Sequence, residues 1–169
     1  MAAPEGVPAI RRAGLEDAAA IAAIYNQAVL ETTATFDTEP KSVDDRRAWL
    51  SDRDERHPVL VALVDGAVVG FASLSRWSDR PAYDDTAETG LYVHSGFRGH
   101  GIGRALKGAL IDEARRLGFH CLLARVTADS AASLHLNREA GFETVGTLRE
   151  VGRKFGRLLD VHILQKLLD

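Results

Sequence analysis

"HSGFRGHGIGRALKGALIDEARRLGF", residues 94–119, sets Gly99, Gly101 and Gly103 on alternate positions just ahead of a clean amphipathic helix. Glycine weakens regular structure, so its repetition there implies a backbone conformation that other residues resist, or a close approach to the backbone. The preceding "TAETGLYV" (Thr86–Val93) reads as a strand, and the helix runs to Leu117 with Gly118 as its expected C′ residue. Strand, glycine-rich turn and helix N-terminus together make an anion site: the unpaired first-turn amides point outward and the helix dipole favours negative charge. Arg98 and Arg104 add positive charge, and His100 adds more when protonated. The alternative is a tight βα turn that holds nothing. Two familiar phosphate loops do not fit. A dinucleotide fingerprint from Gly99 or Gly101 would need glycine at Arg104 or Leu106, and a P-loop from Gly96 would need lysine at Ile102.

Around this stretch the chain reads as one domain over residues 1–169, with residues 1–7 as a loose tail. Its hydrophobic content of 46% and charged content of 27% are those of an ordinary soluble globular protein. A net charge of −3 supplies no basic field to gather nucleic acid or an anionic membrane, so neither is expected as a partner. No apolar run is long enough to span a bilayer, and the first residues lack a signal-peptide core. Cys121 is the only cysteine, which precludes an intrachain disulfide and makes a reducing cytoplasm the expected compartment.

Periodicity supplies the remaining elements. Ala9–Ala13 is a short strand, and residues 15–32 have helical spacing. Ser42–Glu55 forms a second helix with Ser42 as N-cap and Asp45 three residues on. Val59–Val64 and Val68–Ser75 form a hairpin across Gly66-Ala67. His120–Thr127 is a buried strand, Ala131–Ala140 a helix, and two last strands cover roughly 143–148 and 158–166. The order predicts an α/β protein: a mixed sheet with helices on its faces.

The spacing Arg98-x-x-Gly101-x-Gly103 matches the R/Q-x-x-G-x-G/A signature of the GNAT N-acetyltransferases, and its position between strand and helix is the family's. "SAASLHLNREAGF" (Ser130–Phe142) resembles a second family block, with Ser133, Gly141 and Phe142 in register. Ser130 stands where asparagine is frequent, and Asn137 where many members carry the tyrosine that protonates the leaving thiolate. No tyrosine acid is therefore expected at 137. Over Ala9–Leu168 the chain resembles the phosphinothricin and methionine sulfoximine/sulfone acetyltransferase group, on "IYNQAVLETTATFDTEP", "RPAYDDTAETGLYVH" and "VGRKFGRLLDV". The resemblance implies the GNAT fold, with a mostly antiparallel central sheet and helices on both faces. It also implies acetyl-CoA as co-substrate and no metal. Its loop, Arg98 to Arg104 with His100 and Ile102 included, would grip the coenzyme's diphosphate. Leu91, Tyr92 and Val93 would run beside the pantetheine arm, and Ser130 and Ser133 would add cofactor contacts. A homodimer paired through the C-terminal strands is also implied.

Transfer to an amine requires a neutral nucleophile, stabilisation of the developing oxyanion, and departure of the thiolate, the easiest step because a thiol pKa is only about 8.5. Glu88 is the expected base, by its position in the resembling group. The alternative reading on pattern is a solvent-facing strand residue, sharing a face with Gly90 and Tyr92. An acceptor bearing anionic or polar oxygens asks for cations and hydroxyls. Arg76, Arg80 and Tyr83 lie just before Glu88, Thr35 and Phe36 are an expected wall, and Lys154 is a further candidate. No residue offers itself as an acyl-carrying nucleophile, so direct attack in a ternary complex is expected. The rival readings are another acceptor (a protein N-terminus, a polyamine or an antibiotic amine) and a non-catalytic acetyl-CoA sensor.

Overall fold

A computed structural model describes residues 7–169; the expected tail falls, apart from Val7, outside the described residues. Strands β1 (Ala9–Arg12), β2 (Val59–Val64), β3 (Ala67–Arg76), β4 (Thr86–Val93), β5 (Cys121–Thr127), β6 (Glu143–Lys154) and β7 (Arg157–Leu167) form one sheet in the order β1-β2-β3-β4-β5-β7-β6. Helices α1 (Ala18–Glu31) and α2 (Val43–Ser51) cover one face, and α3 (Ile102–Arg116) and α4 (Ala131–Glu139) the other. Each face has its own core. Ile21, Val29, Val61 and Phe71 fill the first; Leu74, Leu106, Leu110, Leu122 and Leu164 fill the second. This is the mixed, mostly antiparallel sheet with helices on both faces that was expected.

The local signals act as their chemistry dictates. Ser42 and Asp45 close a reciprocal capping box, each accepting the other's backbone N–H, at 3.0 and 3.2 Å. Gly118 takes φ +83 after α3, so that the Phe119 N–H reaches the Ala114 carbonyl at 3.0 Å. The β2–β3 turn is Asp65-Gly66, one residue earlier than the spacing suggested. Both residues have positive φ, +49 and +78, as a type I′ turn demands, and Val64 pairs with Ala67.

Two boundaries differ more. Helix α2 stops at Ser51 instead of Glu55 because Arg53 leaves the helix to bond the carbonyls of His57 and Leu74 while stacking 4.6 Å over Trp49. Strand β6 runs on past Leu148 to Lys154 through a bulge at Glu150, whose φ is +51 and whose N–H donates to Asp160 Oδ1 at 2.7 Å. "VGRKFGRLLDV" is thus the far end of a long hairpin.

The functionally decisive feature is the join between the two halves of the sheet. Every strand pair is antiparallel except β4–β5, which is parallel and lasts for three residues, Thr86–Glu88 against Cys121–Leu123. Strand β4 continues along β3 as far as Val93, while β5 continues along β7 to Thr127. Beyond Glu88 the two strands part, and backbone groups that a closed sheet would pair are left facing a wedge-shaped gap.

Candidate active site

A cleft of about 1110 Å³ runs through this gap, from the glycine loop past β4 to the ends of α1 and α2. At one end, Gly99 and Gly101 have φ +79 and +81, and a Cβ built on either would meet nothing within 4 Å. Gly101 is the N-cap of α3, and no side chain caps that terminus, so the amides of its first turn stay available. Arg98, Gly103 and Arg104 also line the cleft. The two arginines are differently engaged: Arg98 Nε bonds the Val93 carbonyl at 3.2 Å, and Arg104 pairs with Glu139 at 2.8 Å. His100 is exposed and Ile102 is buried in the α3 core; neither lines the cleft.

Along the middle, β4 presents its two faces to opposite sides. Tyr92 turns toward α1, edge-on to Tyr25 at 5.2 Å and stacked on Phe71 at 5.3 Å. Leu91 and Val93 turn toward α3, where their side chains approach Gly103. Glu88, where the strands part, lines the cleft with its side chain 21% exposed. Both its oxygens are held by Arg125 of β5, at 2.5 Å from Nε and 2.8 Å from Nη2. That bidentate fork holds the Arg125 guanidinium above its ordinary pKa. Ser130 and Ser133 line the opposite wall; Ser130 Oγ lies 2.7 Å from Thr127 Oγ1. Asn137 is buried, bonds the Ser133 carbonyl through Nδ2 at 2.9 Å, and leaves Oδ1 with no partner.

At the far end Thr35 and Phe36 form a wall. Phe36 lies against β6 at Gly152, where an added Cβ would come within 2.1 Å of its ring. Tyr25 donates to Asp37 and lies 2.8 Å from Thr35 Oγ1; burial, then that carboxylate, push its phenol up to about 12, so it stays neutral. Arg46 packs over the Tyr25 and Trp49 rings at 5.2 and 4.9 Å, with its Nε buried and unpartnered.

Four expected acceptor contacts are not among the cleft lining. Arg76 pairs with Asp84 at 2.8 Å, and Arg80 and Tyr83 sit on the exposed 3₁₀ segment between β3 and β4. Lys154 requires correction. The residue is 4% exposed, and its ammonium is committed to the carbonyls of Thr32 and Thr35, at 2.7 and 2.8 Å, and of Ala28 at 3.5 Å. It is a clasp that closes the C-terminus of α1 and holds the Thr35–Phe36 segment. Lys154→Met is accordingly expected to lower unfolding free energy by about 1–3 kcal/mol, since the stranded carbonyls lose their donor. Denaturant titration checks this; an unaltered midpoint would remove the clasp. Arg46, Arg125, Asp37 and Lys107 are among the lining residues that sequence reading missed. For Arg125 a signal existed, a lone cation in the apolar run "CLLARVT".

Among the described residues no helix is long and apolar enough to cross a membrane, and no group of His, Cys, Asp and Glu side chains could hold a metal.

A family model described as the acetyltransferase (GNAT) family matches residues 21–142. An L-methionine sulfoximine/L-methionine sulfone acetyltransferase of Salmonella typhimurium is 42% identical over 161 residues, 95% of this chain and 94% of its own length. A phosphinothricin N-acetyltransferase of Streptomyces coelicolor is 39% identical over 150 residues, covering 86% of this chain and 88% of its own. Among solved structures, yncA of Salmonella typhimurium, solved with acetyl-CoA, superposes with a TM-score of 0.93 at 41% identity, over 97% of this chain and 95% of that one.

Proposed function

The chain belongs to the acetyltransferase (GNAT) family, and from that premise we propose that it moves acetyl from acetyl-CoA to the amine of a small amino-acid analogue of the methionine sulfoximine, methionine sulfone or phosphinothricin type. The observation that carries this reading is one continuous cleft joining an open glycine cradle, a split sheet and a carboxylate at the fork. The cradle suits a diphosphate, because αL glycines leave the helix amides accessible to oxygen ligands. The free edge of Leu91–Val93 suits the amide-bearing pantetheine arm as an added strand, with Ser130 and Ser133 on the facing wall.

Glu88 is the base that takes the proton from the acceptor ammonium, directly or through water. Arg125 orients its carboxylate and, when an acceptor enters, offers its guanidinium to the acceptor's own anionic group. Arg46 is a second cation at that end, and Thr35 and Phe36 bound the acceptor side chain. Trp77, next to Arg76 in the chain, has its ring 5.6 Å from the Arg125 guanidinium carbon, and Arg76, Arg80 and Tyr83 have no assigned contact with the acceptor. Attack is direct in a ternary complex; no cysteine is among the described lining residues.

The purified protein is expected to release free thiol from acetyl-CoA with methionine sulfone, methionine sulfoximine or phosphinothricin, faster than with polyamines, and with intersecting initial-velocity lines. Thiol release with none of these amines would leave the sensor reading; parallel lines would point to an acyl-enzyme.

The proposal includes a homodimer in the cytoplasm that detoxifies such antimetabolites. The β6–β7 hairpin exposes Val145, Leu148, Val151, Phe155 and Leu158, an apolar row of the kind that subunit contacts cover. Val151→Arg is expected to shift the mass measured by light scattering from twice 18.3 kDa toward 18.3 kDa. A wild-type chain that runs as a monomer would rule the pairing out.

A further inference from the structure

Helix α3 buries a stripe of Ile102, Leu106, Leu110, Ile111 and Ala114, and one charged side chain, Lys107, lies within it at 3% exposure. Its Nζ donates to Thr89 Oγ1 at 2.8 Å and stands 4.2 Å over the Phe142 ring. An ammonium has three N–H donors, and among the described residues only Thr89 accepts one. No carboxylate offsets its burial, and burial pushes its pKa down to about 7. The charged groups on the surrounding elements share a shallow pocket with it: Arg104, Asp112 and Arg115 of α3, Glu139 of α4 and Lys166 of β7. None of them bonds Nζ: Arg104 pairs with Glu139, and Arg115 with Asp112.

Lys107 also lines the main cleft, together with Asn137, whose buried Oδ1 is likewise without a partner. Two unspent N–H donors and an orphaned amide oxygen on one wall point to a polar group of a ligand between them. Strand geometry fixes which part of the reaction this wall meets. Glu88 and Thr89 are consecutive, so they face opposite sides of β4 where it leaves β5. Glu88 looks to the acceptor end, and Thr89, carrying Lys107, looks to the α3–α4 side.

Resting on the acetyl-transfer reading above, we propose that Lys107 is the general acid of the reaction, the residue that protonates the departing sulfur in place of a tyrosine at position 137. When the tetrahedral adduct collapses, its carbon–sulfur bond breaks and the electron pair leaves on sulfur. One Nζ–H proton passes to that thiolate, giving the free thiol of coenzyme A and a neutral lysine. Glu88 takes the first proton of the acceptor ammonium and passes it to solvent before attack; the second, shed by the nitrogen as the adduct becomes the amide, then resides on Glu88, and both groups re-equilibrate with solvent after release. An acid that titrates near neutrality delivers a proton downhill to a thiolate whose conjugate acid has a pKa of about 8.5, which an ammonium of ordinary pKa, about 10.4, would not.

Lys107→Met keeps the length and packing of the side chain and removes its proton. It is expected to lower kcat about ten-fold or more with little change in the KM for acetyl-CoA. In the wild type, kcat should fall as pH rises through about 7, the range in which Lys107 loses its proton, and the variant should lack that limb. A readout independent of turnover uses isotope-labelled lysine. The Lys107 resonance, identified by its absence in Lys107→Met, is expected to titrate at a different midpoint in the complex with coenzyme A than with desulfo-coenzyme A, which lacks only the sulfur. Equal midpoints in the two complexes, or a variant with undiminished kcat, would overturn the assignment. If Lys107→Met does not fold, single Lys→Arg substitutions at Lys41, Lys154 and Lys166 assign the other three lysine resonances, Lys107 follows by elimination, and the two complexes of the wild type decide the matter. A wild type that transfers acetyl to no amine refutes the acetyl-transfer reading instead, and the assay separates the two failures.

Discussion

Glu88→Gln is expected to reduce kcat by about 10²–10⁴-fold while acetyl-CoA binds as before. The amide keeps the size and planarity of the carboxylate, and its oxygen can still accept from Arg125, so half of the fork that now measures 2.5 and 2.8 Å survives. What disappears is the ability to receive a proton. The acceptor's amine, protonated near neutral pH, then has no local base, and only its small neutral fraction can attack. Glu88 stands at the fork of β4 and β5, away from the glycine cradle, so coenzyme affinity measured by calorimetry should be unchanged. A variant that turns over within a factor of a few of the wild type would return Glu88 to the role of a strand residue that merely anchors Arg125.

Gly101→Val has the second large effect, on the other substrate. Gly101 has φ +81 at the mouth of α3, in the left-handed region where a β-branched residue is a genuine outlier. The cost, of the order of 1–2 kcal/mol for any L-residue and greater for valine, is relieved by turning the peptide, which redirects the first-turn amides. The new methyls also project into space that is open now, since no atom lies within 4 Å of a Cβ built there. Loss of amide contacts and of that space is expected to weaken acetyl-CoA binding about 10²-fold or more, against a small change in melting temperature, since the loop is not part of either core. Retention of coenzyme affinity would dismiss the cradle. Gly108→Val is a useful contrast: it lies within α3, its Cβ would also meet nothing within 4 Å, and it does not line the main cleft.

The two variants separate the halves of the site. One removes chemistry and spares binding; the other removes binding and leaves the base in place. Lys107→Met has a smaller effect than either, because a thiolate leaves tolerably well without help.

Much of this architecture is legible one element at a time. The glycine loop, the Ser42–Asp45 capping box, the Gly118 terminus and the β2–β3 hairpin all depend on backbone limits within a few residues, and such limits are written in local sequence. The resemblance carried by the Arg98–Gly103 spacing and the Ser130–Phe142 block added the fold and the coenzyme. Lys107 left a trace as well, being four residues before Ile111 and three before Leu110 on the buried stripe of α3. Its charge disguised its position.

Tertiary structure alone decided the rest. The partner of Glu88 is 37 residues away and is chosen by how far two parallel strands stay paired before they part. Lys154 is drawn 122 residues back to the Thr32 carbonyl because the long hairpin of β6 and β7 folds over the end of α1. Arg76 and Arg80 precede Glu88 closely in sequence, yet neither is among the cleft lining, whose cations away from the glycine loop and α3 are Arg46 of α2 and Arg125 of β5. Sequence by itself determined which segments are helix or strand and where the uncapped amides of α3 lie behind the glycine turn, since dihedral preferences and helix-end amides are short-range properties. Which side chains meet around the reacting atoms depended on sheet register and on which charges the fold buried, and those arise only when distant segments pack.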